Sequence, residues 1–515
     1  MQIMRIFYGL IFCSLCLLTI CAASSVFILI GGTGAFSSKY LWDSAFRQVY
    51  LPPNNNDGEV PTRKIFTSGK SDTAEGKAKL SKILQTLHCE SNDGANCPTN
   101  VKKFVNDIEY VKLENDIDYG KFCAELLVSN KPFHDIKEVL WYLATPPSYY
   151  PIILMSIHSR CRNSTAKLKI ALETPFFKDS QEYIALSRIF RGRFARDEIF
   201  MIDNFLAKES AVSIQEFRRL NPWFNLRHME KLELISLERE FVSDVRLKFY
   251  EQYGGVVRDS MMNHLSEIML LLLKDQKQEN WDDDDEADSI RDILQRIRPV
   301  SRSSWIFGQH KNFRNLTRYQ SKVPTFASLN LKVDVAPDSG QTVEKPILFA
   351  AGKYMDYSRS YARILFSNPQ KKSEITAEVI FFLSRPLILV KTTNFVVKTP
   401  QNFVTNNEAC GDEKIVSKIF TKTKCTEFKI LSTVSDGKMT DYDRLIGNFI
   451  KNRPEHNLFT NMVNVDESWK LLWSHVIKDT DAVEKSDLIV YENAGEILSF
   501  VFPSFYESVV QKVEL

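Results

Sequence analysis

Two short segments that lie far apart in the sequence carry side chains that could transfer a proton together. Residues 201–209 contain Asp203 and Lys208, and a later segment contains Asp259 and His264. A histidine suits general base chemistry because its pKa lies near neutral pH, and a neighbouring carboxylate orients the ring and stabilises its cation. We therefore expect the fold to bring Asp203 and His264 into one pocket.

The segment that carries His264 is expected to be an α-helix, and helix geometry indicates which side chains can meet Asp203. An α-helix turns by about 100° per residue, so Asp259 and Asn263 share a face. His264 is five residues from Asp259 and would lie about 140° away around the helix. The imidazole of His264 would then be free to contact Asp203 from the other segment.

A second candidate site lies near the beginning of the chain. The β-branched, apolar run at residues 26–30 predicts a buried strand, which is followed by Gly31, Gly32, Thr33 and Gly34 and then by a helical pattern. Glycine lets the backbone approach a pyrophosphate, and the N-terminus of a helix supplies N–H groups that bind phosphate. This arrangement predicts a dinucleotide-binding site.

Three further residues are candidates for contacts with the cofactor. Lys70 follows a strand predicted at 64–67, where the residue that distinguishes NADP from NAD normally lies. Its ammonium could pair with a 2′-phosphate, or Lys70 could be a solvated lysine. Pro146 and Thr174 follow two later predicted strands, and ligands of parallel sheets bind at the carboxyl ends of strands.

The order of the predicted elements indicates an α/β fold combined with an α+β fold. Strands that alternate with helices in the first half predict a parallel, doubly wound, Rossmann-like dinucleotide-binding domain. In the second half, residues 326–335 alternate between apolar and polar side chains, which is typical of a strand with one wet face. The second half therefore predicts a large antiparallel sheet backed by helices. Further strands are predicted at 347–349, 362–366, 375–383, 387–391 and 395–398, with helices at 441–451 and 466–477.

The two ends of the chain resemble secretory signals. Residues 1–23 combine a positive start, an apolar run and small residues, which predicts a cleaved signal peptide. Residues 512–515, Lys-Val-Glu-Leu, resemble a retrieval signal of the endoplasmic reticulum. We expect a soluble lumenal glycoprotein, with acceptors at Asn163 and Asn315 and no membrane contact after cleavage.

Cysteine content and composition narrow the possibilities further. The cysteines that remain after residue 23 suggest disulfides; Cys89 with Cys97 and Cys410 with Cys425 are the closest pairs, and other pairings stay open. A net charge of +2 gives no sign of a nucleic-acid partner. The acidic run at 282–286 lacks the spacing of a calcium loop, so we predict a solvated loop and no metal site.

In order and spacing, these segments resemble the glucose-6-phosphate dehydrogenase family, and within it most closely the hexose-6-phosphate dehydrogenases of the endoplasmic reticulum. A lactonase region often follows in that branch, and we expect it to be absent. The motifs that carry the resemblance are Gly31-Gly32-Thr33-Gly34, residues 143–147, 173–176 and 202–209, Phe249-Tyr250-Glu251-Gln252-Tyr253-Gly254, Arg258-Asp259, Asn263-His264-Leu265, Gly352-Lys353, residues 361–366 and residues 466–469.

The resemblance implies the roles of the site residues and the partners of the protein. It implies His264 as the base that removes the proton of the C1 hydroxyl, with Asp203 as its partner. It also implies NADP as the cofactor, with NAD possible, a hexose phosphate as the substrate, and a homodimer formed through the C-terminal domain. The implied substrate-binding residues are Lys208, Asn204, Asp259, Lys353 and either Glu238 or Glu240.

The resemblance also implies how the chain is divided. A signal peptide at 1–23 precedes an NAD(P)-binding, Rossmann-like domain at 24–205. A C-terminal domain of the glucose-6-phosphate dehydrogenase type follows at 206–511, with the retrieval signal at 512–515. The implied reaction is oxidation of glucose 6-phosphate or a related hexose phosphate at C1 to the 6-phosphogluconolactone, which is the entry step of a lumenal pentose-phosphate pathway.

Several positions depart from the family pattern. Asn204 replaces a histidine, Phe205 a tyrosine, Thr174 a lysine and Ala35 an aspartate. A hydrogen bond to a charged group contributes about 1.5 to 3 kcal/mol, so losing two or three predicts phosphate binding weakened by roughly a hundredfold or more. The alternative function is therefore a catalytically impaired relative that binds a nucleotide or a regulatory partner.

Overall fold

The fold is described from a computed structural model of the chain. The predicted signal peptide, the retrieval signal, Asn163 and the Cys410–Cys425 pair lie outside the described residues, whereas Asn315 is described and exposed. The structure describes residues 24–50, 63–87, 89, 96–128, 136–162, 166–274, 283–298, 304–318, 320–335, 342–367, 375–393, 395–400, 403–405, 428–433, 439–451, 458–460 and 462–501.

The chain divides into two units. The first contains Met1–Leu172 and Gly192–Ile199, and the second contains Glu173–Arg191 and Phe200–Leu515. None of the described helices has the length and apolar content that a membrane span requires. The described strands form a six-stranded sheet and an 11-stranded sheet.

The N-terminal sheet is parallel, as the sequence predicts. Its order is β3-β2-β1-β4-β5-β6, and the apolar side chains of β1 are almost completely buried. The order reverses between β1 and β4, which is where dinucleotides bind in doubly wound sheets. This confirms the predicted Rossmann-like class. The strands are β1 Ser24–Ile30, β2 Arg63–Gly69, β3 Ile108–Lys112, β4 Ile136–Leu143, β5 Lys167–Glu173 and β6 Ile199–Ile202.

Helices alternate with these strands. A π-helical turn at Ser37–Leu41 leads directly into the first α-helix. The carboxylate of Asp72 caps the second helix by accepting a hydrogen bond from the backbone N–H of Glu75 at 2.9 Å, which satisfies one of the unpaired donors at the helix start. The helices are α1 Trp42–Tyr50, α2 Thr73–Leu84, α3 Cys97–Asp107, α4 Asp116–Val128, α5 Tyr150–Arg160 and α6 Ser180–Arg193.

Two disulfides lie in the first unit. Cys89 bonds Cys97, which confirms the predicted pair, and Cys123 bonds Cys161. Cys123 belongs to α4, and Cys161 is the C-cap residue of α5. The second disulfide therefore joins two helices that the sequence alone could not pair.

The sheet of the second unit is large and mostly antiparallel, as predicted, with two parallel pairs. Its order is β15-β16-β14-β13-β12-β7-β11-β10-β9-β17, with β8 on β10; β7 and β11 run parallel, as do β9 and β17. The strands are β7 Met229–Leu237, β8 Ile297–Arg298, β9 Trp305–His310, β10 Phe326–Val335, β11 Val343–Gly352, β12 Arg359–Ser367, β13 Ile375–Phe382, β14 Leu387–Thr392, β15 Phe403–Thr405, β16 Lys429–Thr433 and β17 Ile489–Tyr491.

Helices of the second unit include two π-helical segments. One is Val257–Leu265, and the other, Trp469–Trp473, joins two short α-helices. The α-helices are α7 Glu209–Leu220, α8 Asp244–Gln252, α9 Ser266–Leu273, α10 Asp283–Arg296, α11 Lys311–Leu316, α12 Asp441–Lys451, α13 Met462–Ser468, α14 Ser474–Asp481 and α15 Ala494–Val501.

Two predicted segments differ from the structure. Residues 395–398 belong to no strand, because the side chain of Asn221 bonds both the N–H and the carbonyl of Lys398, and Phe395 stacks on Trp223 at 4.8 Å. The acidic run predicted as a loop instead starts helix α10 at Asp283, where carboxylates are favoured by the helix dipole.

Candidate active site

The structure brings Asp203 and His264 together. Asp203 directly follows β6, and His264 lies in the π-helical segment Val257–Leu265. Nδ1 of His264 is 2.7 Å from Oδ1 of Asp203. Because the carboxylate accepts the hydrogen bond, Nδ1 carries the proton and Nε2 is the basic nitrogen. The pair has the arrangement that a general base requires.

Asp203 is held firmly in the protein interior. Its side chain has no exposed surface, and Oδ1 also accepts a hydrogen bond from the backbone N–H of Phe205 at 2.9 Å. Among the described residues Oδ2 has no hydrogen-bond partner, and Asp203 lines a small cavity together with Thr174, Asn263 and Trp469. The carboxylate is therefore fixed by its first oxygen, while its second is buried and has no partner in the part of the chain that the structure describes.

The π-helical geometry corrects the predicted position of His264 around its helix. In a π-helix each backbone hydrogen bond joins residues five apart, so Asp259 and His264 lie on the same face rather than about 140° apart. The side-chain amide of Asn263 donates to the carbonyl of Arg258, also five residues away, at 2.7 Å. The expected separation was wrong because it assumed α-helical spacing, yet His264 still reaches Asp203.

Phe205 lies between two groups of the candidate site. Its ring stacks on the imidazole of His264, with centroids 4.1 Å apart and planes at 10°. On the same ring, Nζ of Lys208 lies 3.1 Å from the centroid. Burial lowers the pKa of Lys208 to about 8, although the carboxylates of Asp441 and Asp203 oppose the shift. The ammonium of Lys208 is thus partly covered by an aromatic ring.

Asn204 forms a hydrogen bond with a residue that was not predicted from the sequence to lie at the site. Its side-chain amide donates a hydrogen bond to Oδ2 of Asp441 at 2.9 Å. Asp441 is the first residue of α12 and lies 237 positions further along the chain. No local sequence pattern marks such a contact.

Glu238 and Asp259, both partly exposed, form a charged cluster with the buried Lys353. Nζ of Lys353 lies 2.6 Å from the carboxylate of Glu238 and 3.4 Å from that of Asp259. Arg246 approaches Asp259 at 3.8 Å. Of the two glutamates that the sequence left open, Glu238 contacts Lys353, whereas Glu240 is exposed.

Charges within this cluster favour the ionised forms. Burial alone would lower the pKa of Lys353, but Asp259 and Glu238 outweigh it and the pKa is raised. Burial alone would raise the pKa of Asp259, but Lys353 and then Arg246 outweigh it and the pKa is lowered. Both partners therefore stay charged, and they present fixed hydrogen-bonding groups.

The glycine turn after β1 fits a dinucleotide phosphate. Gly31 has φ +90°, and a Cβ there would lie 2.4 Å from the carbonyl oxygen of Ala144 at the end of β4. A Cβ on Gly32 would lie 1.8 Å from Oγ1 of Thr67. Only glycine fits either position. The turn, with Thr33 and Gly34, leads into a helix at the point where the strand order reverses.

The other predicted cofactor residues are placed as follows. Nζ of Lys70 lies 4.0 Å from the ring centroid of Tyr149 and bonds its hydroxyl, while the residue is exposed, so both predicted roles of Lys70 stay open. Pro146 follows β4 and accepts a hydrogen bond from the N–H of Tyr149 at 3.0 Å. Thr174 belongs to the second unit, where its N–H bonds the carbonyl of Ile202 at 3.1 Å.

Comparison with known proteins agrees with this geometry. Residues 28–212 match the family model described as "Glucose-6-phosphate dehydrogenase, NAD binding domain". Residues 217–496 match "Glucose-6-phosphate dehydrogenase, C-terminal domain". Together the two matches cover most of the 515 residues.

Curated relatives include two endoplasmic proteins. The "GDH/6PGL endoplasmic bifunctional protein" of Homo sapiens is 27% identical over 358 residues, covering 66% of this chain and 44% of that protein. The Oryctolagus cuniculus protein of the same name is 25% identical over 402 residues, covering 72% and 49%. The chain thus spans about half the length of these relatives. "Glucose-6-phosphate 1-dehydrogenase, chloroplastic" of Spinacia oleracea is 24% identical over 503 residues, covering 91% and 81%.

Solved structures share the fold. "Glucose-6-phosphate dehydrogenase in complex with its substrate glucose-6-phosphate" superposes with a TM-score of 0.66 at 18% identity, covering 91% of this chain and 94% of that one. The Mycobacterium avium enzyme gives the same TM-score at 16% identity. With both domain models matched in order, the chain belongs to the glucose-6-phosphate dehydrogenase family, whose cofactor is NADP.

Proposed function

We propose that the protein oxidises glucose 6-phosphate, or a related hexose phosphate, at C1 with NADP as the hydride acceptor. The observation that carries this proposal is the 2.7 Å contact between His264 and the fully buried Asp203. Membership of the family supplies the type of reaction, and the dyad supplies the base that the reaction needs.

In the proposed reaction, Nε2 of His264 takes the proton of the C1 hydroxyl, and Asp203 stabilises the imidazolium that forms. Bound NADP would supply the acceptor for the hydride that leaves C1. The N–H of Phe205 and the buried position of Asp203 fix the carboxylate, so little reorganisation is needed during proton transfer. Stacking on Phe205 restricts the imidazole to one plane.

Substrate binding in this proposal uses two groups of residues. The charged cluster of Lys353, Glu238 and Asp259 presents donors and acceptors suited to sugar hydroxyls. Lys208 and Asn204 contact the phosphate. The amide of Asn204 already bonds Asp441, and the ammonium of Lys208 lies over the ring of Phe205. We therefore expect these two residues to bind the phosphate more weakly than the charged cluster binds the sugar hydroxyls.

The proposal is tested by assaying the purified protein for NADP reduction with glucose 6-phosphate, galactose 6-phosphate and glucose. His264→Ala should lower kcat by about 10²- to 10⁴-fold, because it removes the base. His475→Ala, which truncates an exposed histidine in α14, is the matched control and should leave kcat unchanged. Equal activity in wild type and His264→Ala would overturn the assigned base.

A second candidate function is favoured by the engaged state of Asn204 and Lys208. The protein would then bind NADP without oxidising a sugar and would serve as a regulatory partner. In that case NADP raises the melting temperature of the protein by mass action while none of the three sugars is oxidised. NADP reduction above background with any of them would exclude this alternative.

We also propose that the protein resides in the lumen of the endoplasmic reticulum. The two disulfides support an oxidising compartment, and two relatives carry the word endoplasmic in their names. Digestion of the protein by protease added to intact microsomes would contradict the location.

We further propose that the protein assembles as a homodimer through its C-terminal domain. A monomer mass in analytical ultracentrifugation would contradict this assembly.

A further inference from the structure

The main chain around Lys353 adopts an unusual conformation. Tyr354 has φ +62°, a left-handed value that is unfavourable for a residue with a Cβ. Its N–H donates to the carbonyl of Glu240 at 3.2 Å, and the N–H of Met355 donates to the carbonyl of Glu238 at 3.1 Å. The backbone that places Lys353 opposite Glu238 is therefore held away from its easiest conformation, and surrounding contacts must hold it there.

A buried chain of hydrogen bonds ends on the carbonyl of Lys353. The hydroxyl of Tyr491 donates to this carbonyl at 2.9 Å, and it lies 2.9 Å from Oγ1 of Thr325. Oγ1 of Thr325 accepts from the backbone N–H of His310 at 2.8 Å. Because Tyr491 has a single proton and gives it to Lys353, Thr325 must donate to Tyr491. The donor and the acceptor of each of these hydrogen bonds are thereby determined.

The same residues hold Lys353 from its other side. The N–H of Lys353 donates to the carbonyl of Thr325 at 2.8 Å. His310 stacks on the ring of Tyr354, with centroids 4.9 Å apart and planes at 18°. Thr325 and Tyr491 are completely buried. These contacts come from β9, from β17 and from Thr325, the residue before β10, and β9 pairs with both β10 and β17.

We propose that Tyr491 and Thr325 are positioning residues that aim the ammonium of Lys353 at the sugar. They do not contact the substrate themselves. They hold the Lys353 carbonyl so that Nζ stays between Glu238 and Asp259, in the ion pairs seen at 2.6 and 3.4 Å. The proposal rests on the proposed function, in which Lys353 contacts the sugar.

The first test uses changes that remove one hydroxyl each and keep the shape of the side chain. Tyr491→Phe and Thr325→Val should each raise the Kd for glucose 6-phosphate by about 3- to 10-fold, which is the effect of one neutral hydrogen bond. kcat should stay within about twofold of wild type, because His264 and Asp203 are not touched. Thr325→Ser, which keeps the hydroxyl, should restore the wild-type Kd.

The second test does not depend on activity. Acetylation of lysines by acetic anhydride, followed by mass spectrometry, measures how well the ion pairs protect Lys353. Tyr491→Phe and Thr325→Val should speed labelling of Lys353 about threefold or more, and leave labelling of Lys208 unchanged. Tyr110→Phe is the matched control, because it removes a hydroxyl that donates to a backbone carbonyl in the first unit.

The outcomes separate the two proposals. If the wild type neither binds nor oxidises a hexose phosphate, the proposed function fails, and the labelling of Lys353 alone decides the positioning role. Wild-type labelling of Lys353 in both variants would overturn that role. It would also be overturned if both variants melted at lower temperature and labelled all lysines faster, since that pattern is general loosening of the fold.

Discussion

At the scale of single residues, the lowered pKa of Lys208 should make the proposed phosphate binding sensitive to pH. Burial lowers its pKa to about 8, so the ammonium is mostly charged at pH 7 and mostly neutral at pH 9. The second ionisation of a phosphate ester lies near pH 6, so its charge hardly changes over this range. We therefore predict that the Kd for glucose 6-phosphate, measured by calorimetry without NADP, rises by roughly tenfold from pH 7 to pH 9.

Lys208→Met provides the control for this prediction. The variant should bind the phosphate more weakly at pH 7 and show an almost flat Kd between pH 7 and pH 9, because the titrating ammonium is gone. A variant with the wild-type slope would assign the pH dependence to another group and would remove Lys208 from the phosphate site.

Some site contacts could be predicted residue by residue, and others could not. The contact between Asp203 and His264 was predictable, because a carboxylate commonly orients a histidine base and both residues lie in motifs that resemble those of the family. The contact of Asn204 with Asp441 was not, since the two are 237 positions apart and neither lies in a recognisable pattern. The stacking of Phe205 on His264 depends on side-chain angles that sequence does not encode locally.

At the scale of elements, strands with a marked apolar or alternating pattern were predictable, whereas others were missed. Strand β1 is a short run of mostly apolar, buried residues, and the glycine turn that directly follows it made the strand recognisable in the sequence. Strand β7 was missed although it is central to the large sheet. It contains Glu233, which is buried and paired with Lys231 at 2.7 Å and with Arg363 at 3.4 Å. The partner from β12 that neutralises this charge is distant in sequence.

The π-helical segment is the element that places His264, and a glycine turn introduces it. Gly255 has φ +66°, and a Cβ there would lie 2.3 Å from Cγ1 of Val323 and 2.5 Å from the carbonyl oxygen of Pro324. Gly255→Ala should therefore lower the free energy of unfolding by about 1 to 3 kcal/mol, measured by urea denaturation. It should also lower kcat, because the segment that holds His264 must shift.

Gly192→Ala is the matched control for this turn. Gly192 lies inside α6, and a Cβ there would meet nothing within 4 Å. Alanine is a better helix former, so this variant should be unchanged or more stable by up to about 1 kcal/mol. If Gly255→Ala were as stable and active as Gly192→Ala, the turn would have no role in placing the π-helical segment.

At the scale of the whole molecule, each unit has its own means of stabilisation. The second unit holds a large sheet with an extensive buried core. Two disulfides are found among the described residues, and both lie in the first unit. Cross-links stabilise a fold chiefly by restricting its unfolded chain, and the effect grows with the length of the loop they close. Reduction of these two disulfides should therefore destabilise the first unit.

The Cys123–Cys161 disulfide gives the sharpest form of this expectation. The cysteines are 38 positions apart, so loop entropy predicts a contribution of about 4 kcal/mol, against about 2.5 kcal/mol for Cys89–Cys97 with a separation of 8. Replacing both Cys123 and Cys161 by alanine should lower the unfolding midpoint of the first unit more than replacing both Cys89 and Cys97. Calorimetry with and without a reducing agent measures this difference. Each double variant should show a smaller shift of the unfolding midpoint on reduction, because one of the disulfides is already absent. Equal losses from the two double variants would show that loop length does not govern the contribution of these disulfides to the stability of the first unit.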